Sequence, residues 1–192
     1  MAIEIKNLTK AYDGQAVLEN LSLTFDDGSF TCIMGKSGVG KTTLLNILMG
    51  LENADSGVIC GLDDKKVSVV FQENRLCNNI TALLNIKMVI QKDSRITDDK
   101  ISEYLMRIGL GNDLKKPVSE YSGGMKRRVA ILRALLADFD LLIMDEPLKG
   151  LDDETKETVI ALIKELTKEK TVIMTTHDDS EASLLEANII SI

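Results

Sequence analysis

The chain has 192 residues, of which 44% are hydrophobic, so it can bury the core of one compact domain. It has 23 lysine and arginine residues and 30 aspartate and glutamate residues, so its formal net charge is -7. This acidic balance repels nucleic-acid backbones and disfavours DNA or RNA as a partner. The three cysteines are an odd number without a CxxC pair, and there is one histidine, so we expect reduced thiols in the cytosol and no zinc site.

Residues 3–33 are predicted to be strands joined by turns. Ile3 and Ile5 alternate with polar residues, Asp13-Gly14 and Asp27-Gly28 are turn dipeptides, and FTCIM has the length of a strand. The chain does not start with a basic segment followed by an apolar one, so we expect no signal peptide. No apolar run approaches the ~20 residues that a bilayer span requires, so a membrane role would need a partner.

The rest of the chain alternates between strand and helix patterns. Apolar runs at 67–71, 141–144, 171–174 and 188–192 are typical of strands buried on both faces. Three helical faces lie between them, one formed by Met125, Val129, Leu132 and Leu136, one by Ile101, Leu105 and Ile108, and one by Val159, Leu162, Ile163 and Leu166. This alternation predicts a parallel sheet wrapped by helices. Residues 73–121 have a helical pattern without a convincing strand, which indicates a helical subdomain inserted into a single domain of residues 1–192.

The segment GKSGVGKT, residues 35–42, matches the GxxxxGK[ST] pattern between a predicted strand and a predicted helix. Glycines allow backbone N–H groups to turn inward on an anion, and the helix that begins near Lys41 adds its positive end. Lys41 should reach the β and γ phosphates of ATP, while Thr42 offers a hydroxyl to Mg²⁺. An ordinary glycine-rich turn is the alternative. The predicted nucleotide-binding residues are Gly35, Lys36, Ser37, Gly38, Val39, Gly40, Lys41, Thr42 and Thr43.

Polar residues follow three of the predicted buried strands. LLIMDEP, residues 141–147, ends in two carboxylates, of which Asp145 is suited to Mg²⁺ coordination and Glu146 to polarising an attacking water. Gln72 also comes directly after a predicted strand, and His177 follows the segment TVIMTT at the end of another, where a parallel sheet has its ligand crevice. Taken alone, each of these two residues is more often an ordinary loop or surface side chain.

Together these motifs occur in the order and approximate spacing of a known family. The motifs are GKSGVGKT, Gln72, SGGM at Ser122–Met125, LLIMDEP, GLD at Gly150–Asp152, and His177. Over nearly its whole length, the chain resembles the ATP-binding subunit of ABC transporters. The resemblance implies an α/β fold of the P-loop NTPase (RecA-like) type, with a mostly parallel sheet, an N-terminal antiparallel β-subdomain and an inserted helical subdomain.

In that family two ATP-binding domains stack head to tail, and each ATP lies between the phosphate loop of one copy and the signature loop of the other. The resemblance therefore implies that a second copy of this chain completes the site. It implies that Ser122, Gly123 and Gly124 form the signature loop, that Tyr12 stacks on adenine and that Asp152 communicates across the dimer. It also implies that Glu146 is the hydrolytic base and that His177 contacts the γ phosphate. Gln72 would lie beside the γ phosphate and Mg²⁺. A tyrosine at a strand edge or in the core is the alternative for Tyr12.

The resemblance also implies transmembrane permease subunits as partners, indirectly a solute-binding protein, and a location on the cytoplasmic face of the cell membrane. Met125 stands where the commonest signature has glutamine, and with VFQENRL and ITALLNI it resembles importers of the nitrate, sulfonate and taurine type. TALLNI is shared with lipoprotein-release and macrolide-export ATPases, so export is an alternative. A soluble non-transport ABC ATPase and a non-hydrolysing subunit are further alternatives.

Two lengths depart from the family pattern. The stretch between Met49 and Val67 is short, which predicts a trimmed β-subdomain. The chain stops right after its last predicted strand, so we expect no C-terminal regulatory domain.

Overall fold

The computed structural model describes residues 1–91 and 94–192. The strands are β1 (Ile3–Tyr12), β2 (Gln15–Phe25), β3 (Phe30–Met34), β4 (Ser56–Cys60), β5 (Val67–Val70), β6 (Leu141–Asp145), β7 (Thr171–Thr175) and β8 (Asn188–Ser191). The helices are α1 (Lys41–Leu48), α2 (Ala82–Lys87), α3 (Asp98–Arg107), α4 (Gly123–Leu135), α5 (Asp153–Leu166) and α6 (Asp179–Leu184), with short 3-10 turns at Gly111–Asp113 and Val118–Glu120.

The strands form two sheets. A three-stranded antiparallel sheet has the order β2-β1-β4, and a five-stranded sheet has the order β5-β6-β7-β3-β8. In the larger sheet β3 runs parallel to β7 and β8, and β6 runs parallel to β7. The predicted fold class, a mostly parallel α/β sheet with an N-terminal antiparallel sheet, is confirmed. The sequence analysis missed β4, which has too few apolar residues to stand out in its pattern.

The chain folds into two compact units. Unit 1 is Met1–Val67, Phe139–Glu146 and Glu169–Ile192, and unit 2 is Ser68–Asp138 and Pro147–Lys168. Residues 73–121 belong to unit 2, and their described part carries α2, α3 and the two 3-10 turns without an assigned strand. Residues 92 and 93 of that range lie outside the described part of the chain. The limits of an inserted helical subdomain within a single domain stay a prediction.

The core of unit 1 joins both sheets to α1. Ile3 and Ile5 of β1 lie on one face of the strand because alternate side chains point the same way, and Leu8 is also buried after a register shift between Ile5 and Leu8. The core side chains include Ile3, Ile5, Leu8, Phe25, Ile33, Leu44, Leu45, Leu141, Ile143 and Ile173. This packing fixes the end of β3 against the start of α1, so the loop between them has a firm base on both sides.

Burial in the larger sheet depends on strand position. β6 and β7 lie inside the sheet and are buried along their whole length, as their continuous apolar runs predict. For residues 188–192 the prediction of burial on both faces is wrong, because β8 is an edge strand and Ile189 is 54% exposed. β5 forms the other edge, where Val67 is exposed and Val69 partly buried while Ser68 and Val70 are buried, so the prediction of burial on both faces is also wrong for residues 67–71.

In unit 2, α4 contacts α2, α3 and α5. The predicted helical faces supply buried residues to these contacts, including Val129, Leu132, Ile101, Leu105, Leu162 and Ile163. Met125 and Leu166 are only partly buried, since they lie near helix ends. Among the described residues no helix is both long and apolar enough to cross a bilayer.

Candidate functional site

The loop of residues 35–40 connects β3 to α1 and is built around glycine. Gly40 caps α1 with φ 107°, in the region that favours glycine. A Cβ atom on Gly40 would lie 2.8 Å from Cδ2 of Leu18, and one on Gly35 would lie 2.4 Å from the carbonyl oxygen of Ile192. Because backbone and side chains approach this closely, the loop cannot accept larger residues at these two positions without shifting.

Lys41 lies in the first turn of α1 and is only 7% exposed. Its ammonium donates to the carbonyl oxygens of Gly35 at 2.7 Å and Lys36 at 3.0 Å, so it sits inside the loop. The first turn of α1 contains no acidic residue. A cation at the positive end of a helix is unfavourable, and an anion in the loop would be attracted by both charges. The arrangement is therefore suited to binding a phosphate group.

The Asp145 carboxylate, at the end of β6, is buried and accepts hydrogen bonds from two hydroxyl groups. Thr42 Oγ1 donates to its Oδ2 at 2.8 Å, and Thr175 Oγ1 donates to its Oδ1 at 2.6 Å. Carboxylate and hydroxyl oxygens are ligands that Mg²⁺ accepts, and the ion usually keeps several waters or phosphate oxygens besides. In the described residues there is no cluster of three His, Cys, Asp or Glu side chains that could hold a metal. Thr42 and Asp145 supply hydroxyl and carboxylate oxygens of the kind that Mg²⁺ accepts.

Glu146 follows Asp145 in a left-handed backbone conformation, with φ 43°. Such a conformation costs a non-glycine residue roughly 1–2 kcal/mol and often occurs at functional sites. The backbone N–H of Glu146 donates to Thr175 Oγ1 at 2.9 Å, which holds the turn in place. Its Oε1 lies 3.8 Å from Nδ1 of His177, beyond hydrogen-bonding distance, and the His177 side chain is 65% exposed.

Thr175 is the residue that the sequence analysis missed. It is fully buried, and its one hydroxyl donates to Asp145 and accepts from Glu146. The next residue, Thr176, similarly accepts from the Asp178 N–H and donates to Glu181 at 2.6 Å. The signal was present in the sequence as two threonines that follow the apolar run TVIM just before His177.

Tyr12 ends β1 with 42% of its surface exposed. The ammonium of Lys10 lies 5.2 Å from the ring centroid and is itself held by Glu52 and Asp55. One face of the ring is thus engaged by a cation, and the exposed remainder is consistent with stacking on a base.

The glycines of the predicted signature begin α4 in unit 2. Ser122 is the N-cap residue, and its hydroxyl accepts from the backbone N–H of Met125 at 3.2 Å. Ser122 and Gly123 are exposed, and a Cβ on Gly123 would meet open space. As in α1, the first turn contains no acidic residue. The N-terminus of α4 is therefore accessible to an anion.

Gln72 and Asp152 also belong to unit 2. Gln72 is exposed two residues after β5, and its carbonyl oxygen accepts from Arg127 at 3.3 Å. Asp152 caps α5, and hydrogen bonds from the Thr155 N–H and hydroxyl lower the pKa of the Asp152 carboxyl. Unit 1 itself brings together Lys41, Thr42, Asp145, Glu146 and His177.

Comparison with known proteins finds many similar sequences. A family model described as ABC transporter matches residues 18–149. The methionine import ATP-binding protein MetN of Clostridium tetani is 38% identical over 194 residues, which cover 91% of this chain and 61% of that protein. The spermidine/putrescine import ATP-binding protein PotA of Spiroplasma citri is 34% identical, with coverage of 98% and 58%. The chain therefore spans less than two thirds of the length of these two relatives.

Other relatives are covered more fully. The aliphatic sulfonates import ATP-binding protein SsuB of Bacillus cereus is 35% identical over 203 residues, which cover 99% of this chain and 80% of that protein. Among solved structures, the dimeric bacterial ABC transporter cassette MJ0796 has a TM-score of 0.83 and 32% identity, with coverage of 99% of this chain and 94% of the other. A post-hydrolysis dimer of MJ0796, bound to ADP and Pi, has a TM-score of 0.83 and 31% identity.

Thr175 should be needed for the stability of this site. We expect Thr175→Val to lower the free energy of unfolding by about 1–3 kcal/mol, because a buried carboxylate oxygen and a backbone N–H each lose a partner. Thr175→Ser keeps the hydroxyl and is the matched control, with a smaller loss. Urea unfolding of the three proteins measures the difference, and a valine variant as stable as the serine variant would contradict the assignment.

Proposed function

Since the chain belongs to the ABC transporter family, we propose that it is an ATP-binding subunit that hydrolyses ATP with Mg²⁺ to drive a membrane permease. One observation in unit 1 carries this proposal. Lys41 is held inside a glycine-rich loop, and the next residue, Thr42, is hydrogen-bonded to Asp145. The loop offers positive charge to phosphate, and the pair offers oxygen ligands to a divalent cation. Few other ligands need both at one site.

The phosphates of ATP would lie against the loop of residues 35–43. Lys41 would exchange the carbonyl oxygens of Gly35 and Lys36 for oxygens of the β and γ phosphates, which gives stronger, charge-assisted hydrogen bonds. Thr42 and Asp145 would hold Mg²⁺, and the exposed ring of Tyr12 would stack on adenine. The bound ion would neutralise negative charge on the phosphate oxygens.

Glu146 is the proposed base for hydrolysis. Its carboxylate would accept a proton from the attacking water, while His177, whose imidazole lies 3.8 Å away, would contact the γ phosphate. Gln72 would lie beside the same phosphate and contribute to the Mg²⁺ site. Thr175 fixes the backbone N–H of Glu146, and the Glu146 carboxylate lies 3.8 Å from the imidazole of His177, which supports a shared role for these two side chains.

A second copy of the chain would complete the site. Ser122, Gly123 and Gly124 form the N-terminus of α4, where open space beside Gly123 and a first turn without acidic residues suit a γ phosphate of the facing copy. Asp152 would communicate across this interface. Both solved structures named above are of dimers, which supports the same assembly for this chain.

The transport role is a proposal that rests on the family and on an apolar surface of unit 2. Leu84 is 45% exposed, Met88 66% and Val89 38%, so α2 and the turn after it present three neighbouring apolar side chains to solvent. We propose that permease subunits dock here, which would bring the chain to the cytoplasmic face of the membrane. A solute-binding protein would then act only through the permease.

The direction of transport is proposed as import of a small solute. The relatives MetN, PotA and SsuB are all named as import proteins, and Met125 gives the signature the form of the sulfonate type. Export, a soluble ABC ATPase and a non-hydrolysing subunit are the alternatives. The genes beside this one distinguish them, since a permease next to a binding protein would support import.

Lys41→Ala should weaken ATP binding. We expect a loss of affinity of about 10- to 100-fold, because the variant removes charged hydrogen bonds to phosphate. Isothermal titration with MgATP measures the change, and Lys100→Ala, on α3 in unit 2, is the control that removes an exposed lysine without loss. Equal affinity in Lys41→Ala and wild type would reject the phosphate-loop assignment.

Glu146→Gln should separate binding from hydrolysis. We expect kcat to fall at least about 100-fold through loss of the base, with ATP affinity retained. Because the shared ATP would persist, size-exclusion chromatography with MgATP should show a stable dimer, and the same variant with ADP should elute as a monomer. Only monomer in both conditions would count against the shared site.

Met88→Asp should release the permease. A charge on the most exposed residue of the apolar surface should abolish co-purification with co-expressed permease subunits from the same genomic neighbourhood, while the ATPase rate of the isolated protein stays within about twofold. Met106→Asp, on α3 with 54% exposure, is the matched control and should keep the complex. If both variants keep the permease, the docking surface is elsewhere.

A further inference from the structure

Arg127 is a buried charge on the helix that begins at the signature glycines. It is the fifth residue of α4, and only 5% of it is exposed. A guanidinium withdrawn from water is costly unless its donors are paired. Arginine on a basic amphipathic helix is ordinarily a surface residue, so its inward direction here needs a reason.

The reason lies in the acceptors of its guanidinium. Nε donates to the carbonyl oxygen of Pro147 at 2.7 Å, and Nη1 donates to the carbonyl oxygens of Phe71 at 2.5 Å and Gln72 at 3.3 Å. All four residues belong to unit 2. One side chain thus joins α4 to two separate backbone segments.

These two segments carry proposed catalytic groups. Phe71 and Gln72 directly follow β5, and Gln72 is proposed to lie beside the γ phosphate. Pro147 directly follows Glu146, the proposed base. The planar guanidinium has donors in a fixed fork, so it sets the spacing of the carbonyl groups it holds more rigidly than an ammonium or an amide could.

The neighbouring arginines of α4 show that this arrangement is particular to Arg127. Arg128 donates to the carbonyl oxygens of Ile108 and Gly124, and Arg133 donates to those of Arg75 and Asn74. Each of them ties down backbone, as Arg127 does. Of these three arginines, Arg127 is the one whose acceptors include both the carbonyl oxygens of Phe71 and Gln72 and that of Pro147, the residue after Glu146.

We propose that Arg127 is a positioning residue for ATP hydrolysis, which sets Gln72 and the segment after Glu146 in register with the helix that carries Ser122, Gly123 and Gly124. This inference rests on the proposed function. A group that only filled the core would affect stability, whereas a positioning group affects kcat, because small displacements of catalytic groups reduce rate strongly while leaving the substrate bound.

The test compares Arg127→Lys and Arg127→Gln with wild type and with Arg133→Gln, the control that removes another guanidinium of α4. We expect the Arg127 variants to lose roughly 10- to 100-fold in kcat, with KM for ATP changed less than about threefold. Arg133→Gln should keep kcat within about threefold. The rate is expressed per folded protein, with the folded fraction taken from circular dichroism and thermal unfolding.

A double-mutant cycle with Gln72→Ala separates positioning from a general loss of structure. If Arg127 acts through Gln72, Arg127→Gln should cost less in the Gln72→Ala background than in wild type, while the loss from Arg133→Gln should be the same in both. An additive cycle for Arg127→Gln would overturn the inference, as would a kcat within twofold of wild type or failure of both Arg127 variants to fold. An absence of ATP hydrolysis by the wild-type chain would instead reject the proposed function.

Discussion

The candidate site of unit 1 depends on a buried carboxylate that must be hydrogen-bonded. Asp145 is almost withdrawn from water, and such a charge is tolerated only with donors at both oxygens. Thr42 satisfies one oxygen and Thr175 the other, so the start of α1 and the end of β7 are both fixed to the end of β6. The need to pair the Asp145 carboxylate thereby fixes the positions of α1, β6 and β7 relative to one another.

The same network orients the neighbouring groups. Thr175 accepts from the Glu146 N–H with the oxygen that it offers to Asp145, so the left-handed turn at Glu146 cannot relax without disturbing the carboxylate. Lys41 precedes Thr42 on α1, and its ammonium is held by loop carbonyl oxygens that a phosphate can replace.

Much of this arrangement could be predicted from the sequence because its signals are local. The continuous apolar runs identified β6 and β7, and the glycine pattern located the loop before Lys41. Thr42 and Asp145, far apart in the chain, were both predicted to bind Mg²⁺, and the structure brings their oxygens together. Their metal role, like the roles of Tyr12, Gln72, His177 and Asp152, stays a prediction.

What the sequence did not reveal depends on tertiary position. The prediction that β8 is buried on both faces was wrong because the order of strands in the sheet decides which apolar strand lies at an edge. β4 was missed because its pairing with β1, and not its own composition, makes it a strand. Thr175 was missed because one hydroxyl after a strand has no periodic pattern. Its importance arises only from the two partners that the fold supplies.

The basic face of α4 shows how composition and structure can point in different directions. A helix with Lys126, Arg127, Arg128 and Arg133 in an acidic chain resembles a local patch for a polyanion. Arg127 is buried, and all three arginines donate to backbone carbonyl oxygens of unit 2, so these guanidinium groups serve to fix loops. At the N-terminus of this helix Gly123 leaves the backbone open, and the peptide dipoles add positive charge there.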